Sequence, residues 1–260
     1  MERKKIELDA SLIPSELRSL TEGADVYDSS CSPEARVIFI DRDGGYFLKS
    51  AAKGTLETES VLDTYFHSKG LSAEVVSYLS LERDWLLTRR VHGEDCTHSC
   101  YLEDGLRLAR LLGERLRALH ETDTEDCPVK RRMDAYFALA EENAKKELYD
   151  LSYARDFGIM NAEEAWKCVE ANRKYFKNDT LLHGDYCLPN VLLEDWRFSG
   201  FIDLGNGGVG DRHVDLFWGA WTLNFNLKTD RYRDAFFEAY GKERIEQEAL
   251  RTIAAAEVFG

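Results

Sequence analysis

The segment Leu181-Leu182-His183-Gly184-Asp185-Tyr186-Cys187-Leu188-Pro189-Asn190, followed by Phe201-Ile202-Asp203-Leu204-Gly205, limits what this chain can fold into more than any other. It sets an acid, an amide and a second acid at fixed separations. Between the amide and the second acid lie two short β-prone pieces, Asn190 to Leu193 and Phe198 to Ile202, which read as a hairpin.

The chain on either side differs in kind. Arg36-Val37-Ile38-Phe39-Ile40 and Tyr46-Phe47-Leu48-Lys49 are β-prone and flank the turn-rich Asp41-Arg42-Asp43-Gly44-Gly45, an antiparallel hairpin. A helix is expected from about Leu56 to His67, stopped by Gly70. Two more strands follow at Glu74 to Leu79 and Trp85 to Thr88. From Tyr101 onward the pattern turns helical, with Leu102, Leu106, Leu108, Leu112, Leu116 and Leu119 keeping largely to one face and charged residues elsewhere. Further helices are expected over roughly 133–148, 163–175, 214–223, 231–240 and 243–258. The fold class is therefore α+β, a small β-rich N-terminal lobe (1–91, hinge at its end) followed by a larger helical lobe (92–260).

Composition removes several classes of function. With 48 acidic against 34 basic residues and a net charge of −14, the chain lacks the concentrated basic face that nucleic acid or an anionic membrane requires. The charge suits a cationic small molecule. No apolar run approaches the roughly 18 residues of a membrane span, and the N-terminus lacks the apolar stretch of a signal peptide, so a cytoplasmic protein is expected, as a monomer or weak dimer. The six cysteines are expected to be free thiols. His92, Cys96, His98 and Cys100 depart from the usual zinc spacings and read as a loop between elements.

The acid–amide–acid series suits phosphoryl transfer. Protein kinases carry H-R-D-x-x-x-x-N and then D-F-G; here the spacing recurs as H-G-D-x-x-x-x-N and D-L-G. A carboxylate must orient the acceptor hydroxyl and take its proton, a role that falls to Asp185. The triphosphate of ATP or GTP needs Mg²⁺, whose hard-oxygen ligands would be Asn190 and Asp203. His183 would anchor the loop, and Gly205 would let the backbone turn after the metal ligand. The same chemistry needs a strand lysine on the phosphates and a helix glutamate to pair with it. Lys49 and Glu59 occupy such positions, with Glu57 competing for the second.

Together these segments resemble a known family, the aminoglycoside phosphotransferases, and specifically the 3′-phosphotransferases (kanamycin kinase-like). The resemblance covers nearly the whole chain. It rests on Ser32-Pro33 and the hairpin leading to Leu48-Lys49, on Leu119-His120 with Asp126-Cys127-Pro128, and on His183-Gly184-Asp185-x₄-Asn190. It continues through Ser199-Gly200-Phe201-Ile202-Asp203-Leu204-Gly205, Gly208-Val209-Gly210-Asp211-Arg212-x₂-Asp215, and Glu257-Val258-Phe259. It implies a protein-kinase-like bilobal fold, Mg²⁺, and ATP- or GTP-dependent phosphorylation of a cationic aminosugar at a 3′-hydroxyl. By position, Ser32 would lie in the nucleotide-covering loop, and the backbone of Arg90 and Val91 would meet the nucleobase. Asp211 and Asp215 would hold the segment after the metal ligand, and Glu257 matches a substrate-binding acid.

The departures fall on the substrate side. Asn206 stands where the family usually has an arginine after D-L-G. The helix after Asp215 offers Trp221, Asn224, Phe225 and Asn226 in place of arginine and acids, and Gly260 follows Phe259, where family chains often end. Trp218, Trp221 and Phe225 lie at helical spacing, which fits either core packing or a stacking wall. Asn206, Asn226 and Asp156, with Asp150 beside it, are the remaining substrate-side candidates. Two other readings fit the same motifs: a kinase-fold enzyme acting on a different small hydroxyl compound, and a catalytically silent nucleotide-binding module. The intact set of Lys49, Glu59, Asp185, Asn190 and Asp203 argues against the second.

Overall fold

The Arg42–Gly45 turn closes a hairpin because its residues tolerate a left-handed backbone: Asp43, Gly44 and Gly45 have φ of 48°, 91° and 101°. A Cβ on Gly45 would lie 2.6 Å from the Phe39 ring, so no other residue fits there without displacing it. This hairpin organises the N-terminal half of the computed structural model, which describes residues 4–260.

Along the chain run β1 (Lys4–Lys5), α1 (Arg18–Thr21), β2 (Asp25–Asp28), β3 (Ala35–Asp41), β4 (Tyr46–Ala52), α2 (Glu57–Ser68), β5 (Val75–Ser80), β6 (Arg83–Arg89) and β7 (Glu94–Asp95). Then come α3 (Ser99–Leu102), α4 (Gly105–His120), α5 (Arg132–Lys145), α6 (Ala162–Asn172), β8 (Thr180–Leu182), β9 (Val191–Glu194) and β10 (Arg197–Phe201). The last elements are β11 (Gly208–Gly210), α7 (His213–Leu227), α8 (Arg233–Tyr240) and α9 (Gln247–Glu257). No described helix is long and apolar enough to cross a membrane.

The chain forms two compact units, one comprising residues up to His98 together with Val191–Gly205, the other Ser99–Asn190 and Asn206–Gly260. The division expected at residue 91 thus lies inside the first unit, and the β9–β10 hairpin returns to that unit from far along the sequence.

In the first unit a six-stranded sheet runs in the order β1-β2-β3-β4-β6-β5, every pair antiparallel. Period-two alternation sends Ile38, Ile40, Tyr46 and Leu48 into an apolar layer with Ile13, Leu17, Val26 and Leu87. Lys49 is consequently on the opposite side of β4 from Leu48. Helix α2 ends in a Schellman motif: Leu71 N–H donates to Phe66 O, Gly70 N–H donates to His67 O, and Gly70 has φ 72°. Its Phe66 meets Phe201 of β10 with ring centroids 6.4 Å apart, joining the helix to the hairpin that ends at Asp203.

The second unit is built on α4. Asp104 caps it by accepting Arg107 N–H at 3.1 Å, and Leu108, Leu112, Leu116 and Leu119 are buried. Leu106, expected on the same face, is instead exposed, because it stands two positions from Leu108 and so on the other side of the helix. Helix α8 lies so close to α4 that a Cβ on Gly113 would sit 2.3 Å from Phe236 O. Strands β8 and β11 form a short antiparallel pair. Among the described residues no cluster of three His, Cys, Asp or Glu side chains could hold a metal; Cys96 is buried, its N–H bonded to Val191 O.

Candidate active-site elements

In the first unit Lys49 Nζ donates to Glu59 Oε1 and Oε2 at 2.9 and 2.8 Å and to Asp203 Oδ1 at 2.7 Å. Burial disfavours the lysine charge, but Asp203 and Glu59 outweigh it and hold the ammonium above the ordinary lysine range. Burial pushes the Glu59 carboxyl up despite its lysine partner. Glu57, the competing acid, is exposed on the outer side of α2. One turn beyond Glu59 the buried Asp63 is also pushed well up, by burial and then by Glu59. Sequence reasoning missed Asp63, although its i+4 spacing from Glu59 was the available signal.

Asp203 itself adopts φ 63°, a left-handed backbone for a residue with a side chain. This corrects the expectation that Gly205 supplies the turn: Gly205 is not among the positive-φ residues, and a Cβ there would make ordinary contact with Glu59 at 3.5 Å. The turn leaves the Asp203 side chain about half exposed. Ser32 is exposed in the β2–β3 connection, with its hydroxyl on Glu34. Arg90 N–H donates to Gly45 O at 3.0 Å, so that amide is already committed. Val91 is buried, with Cγ1 2.9 Å from where a Cβ on Gly200 would lie.

In the second unit the 183–190 loop is fastened by its backbone. His183 N–H and Gly184 N–H donate to Asp215 Oδ2 and Oδ1, both at 2.8 Å. The same Asp215 meets His120 Nε2 at 3.1 Å, and His120 Nδ1 meets Tyr240 Oη at 2.9 Å. Asp215 therefore holds the loop before β9, not the segment after Asp203; Asp211 caps its own neighbourhood, accepting Lys177 N–H and His213 N–H at 3.1 Å each. Gly184 has φ 85°, and a Cβ there would fall 1.8 Å from Asn206 O, so only glycine fits. Tyr186 Oη donates to Leu112 O at 2.9 Å, and Leu188 N–H donates to Thr222 Oγ1 at 3.1 Å.

On this loop Asp185 N–H donates to His183 Nδ1 at 3.3 Å. Asn190 Nδ2 donates to Asp185 O and Oδ2 at 3.0 and 2.9 Å. The amide nitrogen is thus committed to Asp185, and the ligand atom Asn190 can offer a hard cation is its oxygen. Cys187 lies against the same carboxylate; burial, then Asp185, push its thiol far above the ordinary range.

The substrate-side candidates divide sharply. Glu257 is 7% exposed, with Oε1 accepting from Tyr136 Oη at 2.7 Å and Trp218 Nε1 at 3.0 Å. Burial raises its carboxyl to about 7 against the donors' opposing pull, with Asp185 adding to the rise. Asn206 is exposed and accepts Arg132 Nη2 at 2.9 Å, so a guanidinium from α5 reaches the position after D-L-G. Asn226 turns its amide onto Thr222 O and Oγ1 of its own helix at 2.8 and 3.1 Å. Asp156 is exposed on a short 3₁₀ turn, and Asp150 caps the neighbouring one by accepting Ser152 N–H at 2.8 Å.

The comparisons with known proteins agree on one family. Residues 32–253 match the phosphotransferase enzyme family, APH. A protein of Lactococcus lactis subsp. lactis (strain IL1403) named probable aminoglycoside 3′-phosphotransferase is 46% identical over 258 residues, 99% of this chain and 98% of its own. The crystal structure of an aminoglycoside-3′-phosphotransferase of type VIII superposes with a TM-score of 0.77 at 25% identity, covering 94% of this chain and 97% of that one. The fold is also shared with the APH(3'')-Id aminoglycoside phosphotransferase of Streptomyces rimosus ATCC10970 in complex with ADP and streptomycin, at a TM-score of 0.70 and 20% identity, over 86% and 90% of the two chains.

Proposed function

Because this chain belongs to the phosphotransferase enzyme family, we propose that it transfers the γ-phosphate of ATP or GTP to the 3′-hydroxyl of an aminoglycoside. It would do so in the cytoplasm, as a monomer or weak dimer. The observation that carries the reading is Asp185, an acid on a loop whose backbone is fixed by Asp215 and whose carboxylate is oriented by Asn190.

In this reading Asp185 accepts a hydrogen bond from the acceptor hydroxyl. The hydroxyl oxygen forms its bond to the γ-phosphorus as the bond from that phosphorus to the β–γ bridging oxygen breaks. The proton goes to Asp185 and then to solvent, and the nucleoside diphosphate leaves. Lys49 holds the triphosphate oxygens, with Glu59 fixing its direction. Asn190 Oδ1 and the half-exposed Asp203 carboxylate would each offer a hard oxygen to Mg²⁺, which would neutralise triphosphate charge. Ser32 belongs to the covering loop. Since Arg90 N–H is committed to Gly45, the Arg90 carbonyl and the Val91 N–H are the groups for the nucleobase. A nucleotide donor is supported by the ADP bound in the Streptomyces rimosus relative, and the 3′ position by the names of the two other relatives.

The test is a coupled assay of nucleoside diphosphate release, with ATP and GTP in parallel, over an aminoglycoside panel that includes a 3′-deoxy compound. Release stimulated by 3′-hydroxylated drugs and not by the 3′-deoxy compound is the expected result. Equal stimulation by both would move the reaction to another hydroxyl, and no stimulation by any drug would remove aminoglycosides as substrates.

A further inference from the structure

Helix α7 carries Trp218, Trp221 and Phe225 at spacings of three and four residues, which places them along one face. Core packing would bury all three. Instead Trp218 and Trp221 are half-buried and Phe225 is 54% exposed. The rings form a continuous surface. Trp218 and Trp221 meet edge to face at 5.4 Å, Trp221 and Phe225 stack at 4.9 Å with 14° between planes, and Tyr153 contacts both tryptophans at 5.6 and 5.5 Å.

This surface stands on the helix that helps hold the loop of the proposed base: Thr222 Oγ1 of α7 accepts Leu188 N–H at 3.1 Å. Trp218 Nε1 donates to Glu257, whose carboxyl is within electrostatic reach of Asp185. Burial, then Asp150 and Glu257, with smaller contributions from Cys187 and Asp185, push the Tyr153 hydroxyl up. At the outer end a cation already occupies the aromatic face: Lys228 Nζ lies 4.3 Å from the Phe225 centroid. Asp215 is the only acid in α7 and is committed to the 183–190 loop. The helix can therefore attract an ammonium group through its π faces but has no free carboxylate for one.

We propose that this face is the ammonium-recognising wall of the acceptor site. Amino groups of a cationic aminosugar lie over Trp221 and Phe225, apolar ring faces of the sugar lie against Trp218 and Tyr153, and Lys228 is an internal occupant that the substrate displaces. The inference rests on the phosphotransferase reading above and names how that site selects its acceptor. Cation–π attraction does the work that paired carboxylates would do elsewhere. Lys228 competes for the same face, so the wall discriminates by the number and placement of ammonium groups: a single amine gains little over the lysine it replaces.

The experiment is a calorimetric titration of the full chain with kanamycin, run beside KM and kcat from the coupled assay, for wild type, Lys228→Asn, Trp221→Leu and Trp221→Phe. Lys228 ends α7 in a left-handed conformation, φ 56°, which asparagine tolerates, so Lys228→Asn removes the competitor without strain. Kanamycin should bind Lys228→Asn about two- to fivefold more tightly and Trp221→Leu about two- to thirtyfold more weakly, with Trp221→Phe recovering most of the loss. The changes should fall on Kd and KM rather than on kcat. Unchanged affinity in Lys228→Asn, or equal affinity in Trp221→Leu and wild type, overturns the wall even if turnover is robust. Binding that follows the expected pattern without turnover keeps the wall and discards the phosphotransferase reading; neither binding nor turnover discards both. Should Trp221→Leu fail to fold, Lys228→Asn decides alone.

Discussion

The two sets of candidate catalytic groups are held in place by different physics. Lys49, Glu59 and Asp203 are fixed by charge, the lysine ammonium lying 2.7–2.9 Å from carboxylate oxygens of both acids, with Asp63 buried one turn beyond Glu59. Asp185 and Asn190 are fixed by backbone: Asp215 takes two loop amides, Gly184 leaves no room for a side chain, and Thr222 takes a third amide. A charge-held group can exchange one partner for another, as the proposed reaction would require of Lys49 on binding a triphosphate and of Asp203 on binding Mg²⁺. A backbone-held group stays where the fold puts it, which is what a base that must meet one hydroxyl requires. The difference matches the two tasks of the proposed reaction, grasping a variable charge and positioning a fixed atom.

The largest effect should come from breaking the backbone-held side. Asp215→Ala leaves two loop amides, one of them buried, and the His120 ring without their shared acceptor and should cost about 3–5 kcal/mol of unfolding free energy, read from denaturant midpoints. A loss below about 1 kcal/mol would mean that the loop is fixed by something else. On the charge-held side, Lys49→Met should weaken triphosphate binding by about ten- to a hundredfold, since each charge-assisted hydrogen bond contributes about 1.5–3 kcal/mol. Calorimetry with a non-hydrolysable nucleotide measures this, and an unchanged Kd would take Lys49 out of the site.

Glu257 sharpens the comparison, being a buried acid in the second unit with hydroxyl and indole donors and, among the described residues, no directly paired cation. Its carboxyl titrates at about 7 when folded, against an ordinary value of 4.5. The folded chain thus binds this proton more tightly than the unfolded one. The associated stability is complete below about pH 4.5 and is lost as pH rises through about 7. Glu257→Gln should abolish that slope, gaining about 1–3 kcal/mol over wild type at pH 8 relative to the difference at pH 4.5. Parallel stability–pH curves for the two proteins would refute it. The smallest effect belongs to Glu57→Gln on the exposed side of α2, expected within about 0.5 kcal/mol of wild type and with unaltered nucleotide affinity.

Much of this is legible in local sequence pattern. The Arg42–Gly45 turn, the α2 stop at Gly70 and the long helices follow from signals within a dozen residues. The strands that were missed, β1, β2, β7, β8 and β11, are two to four residues long and exist only because distant partners pair with them: β8 needs β11 and β7 needs β9. For the same reason Asp215 could be recognised as structural while its target was misread. Nothing near position 215 tells which loop it holds, and His183 is 32 residues earlier. Leu106 was misplaced by reading a leucine-rich run as one face, and Gly205 by assuming that a glycine after a ligand must be the left-handed residue, a conformation that Asp203 adopts instead.

The central claim, a fixed base served by an exchangeable charge cluster, is tested most directly by rapid-quench single turnovers of wild type and Asp185→Ala with aminoglycoside and nucleotide, together with the nucleotide Kd of each. The account predicts a phosphoryl-transfer rate lower by about 10²–10⁴-fold with Kd within about threefold of wild type, because the groups that grasp the triphosphate are untouched. A variant that transfers phosphate at near the wild-type rate, or one that loses nucleotide binding and transfer together, would contradict it.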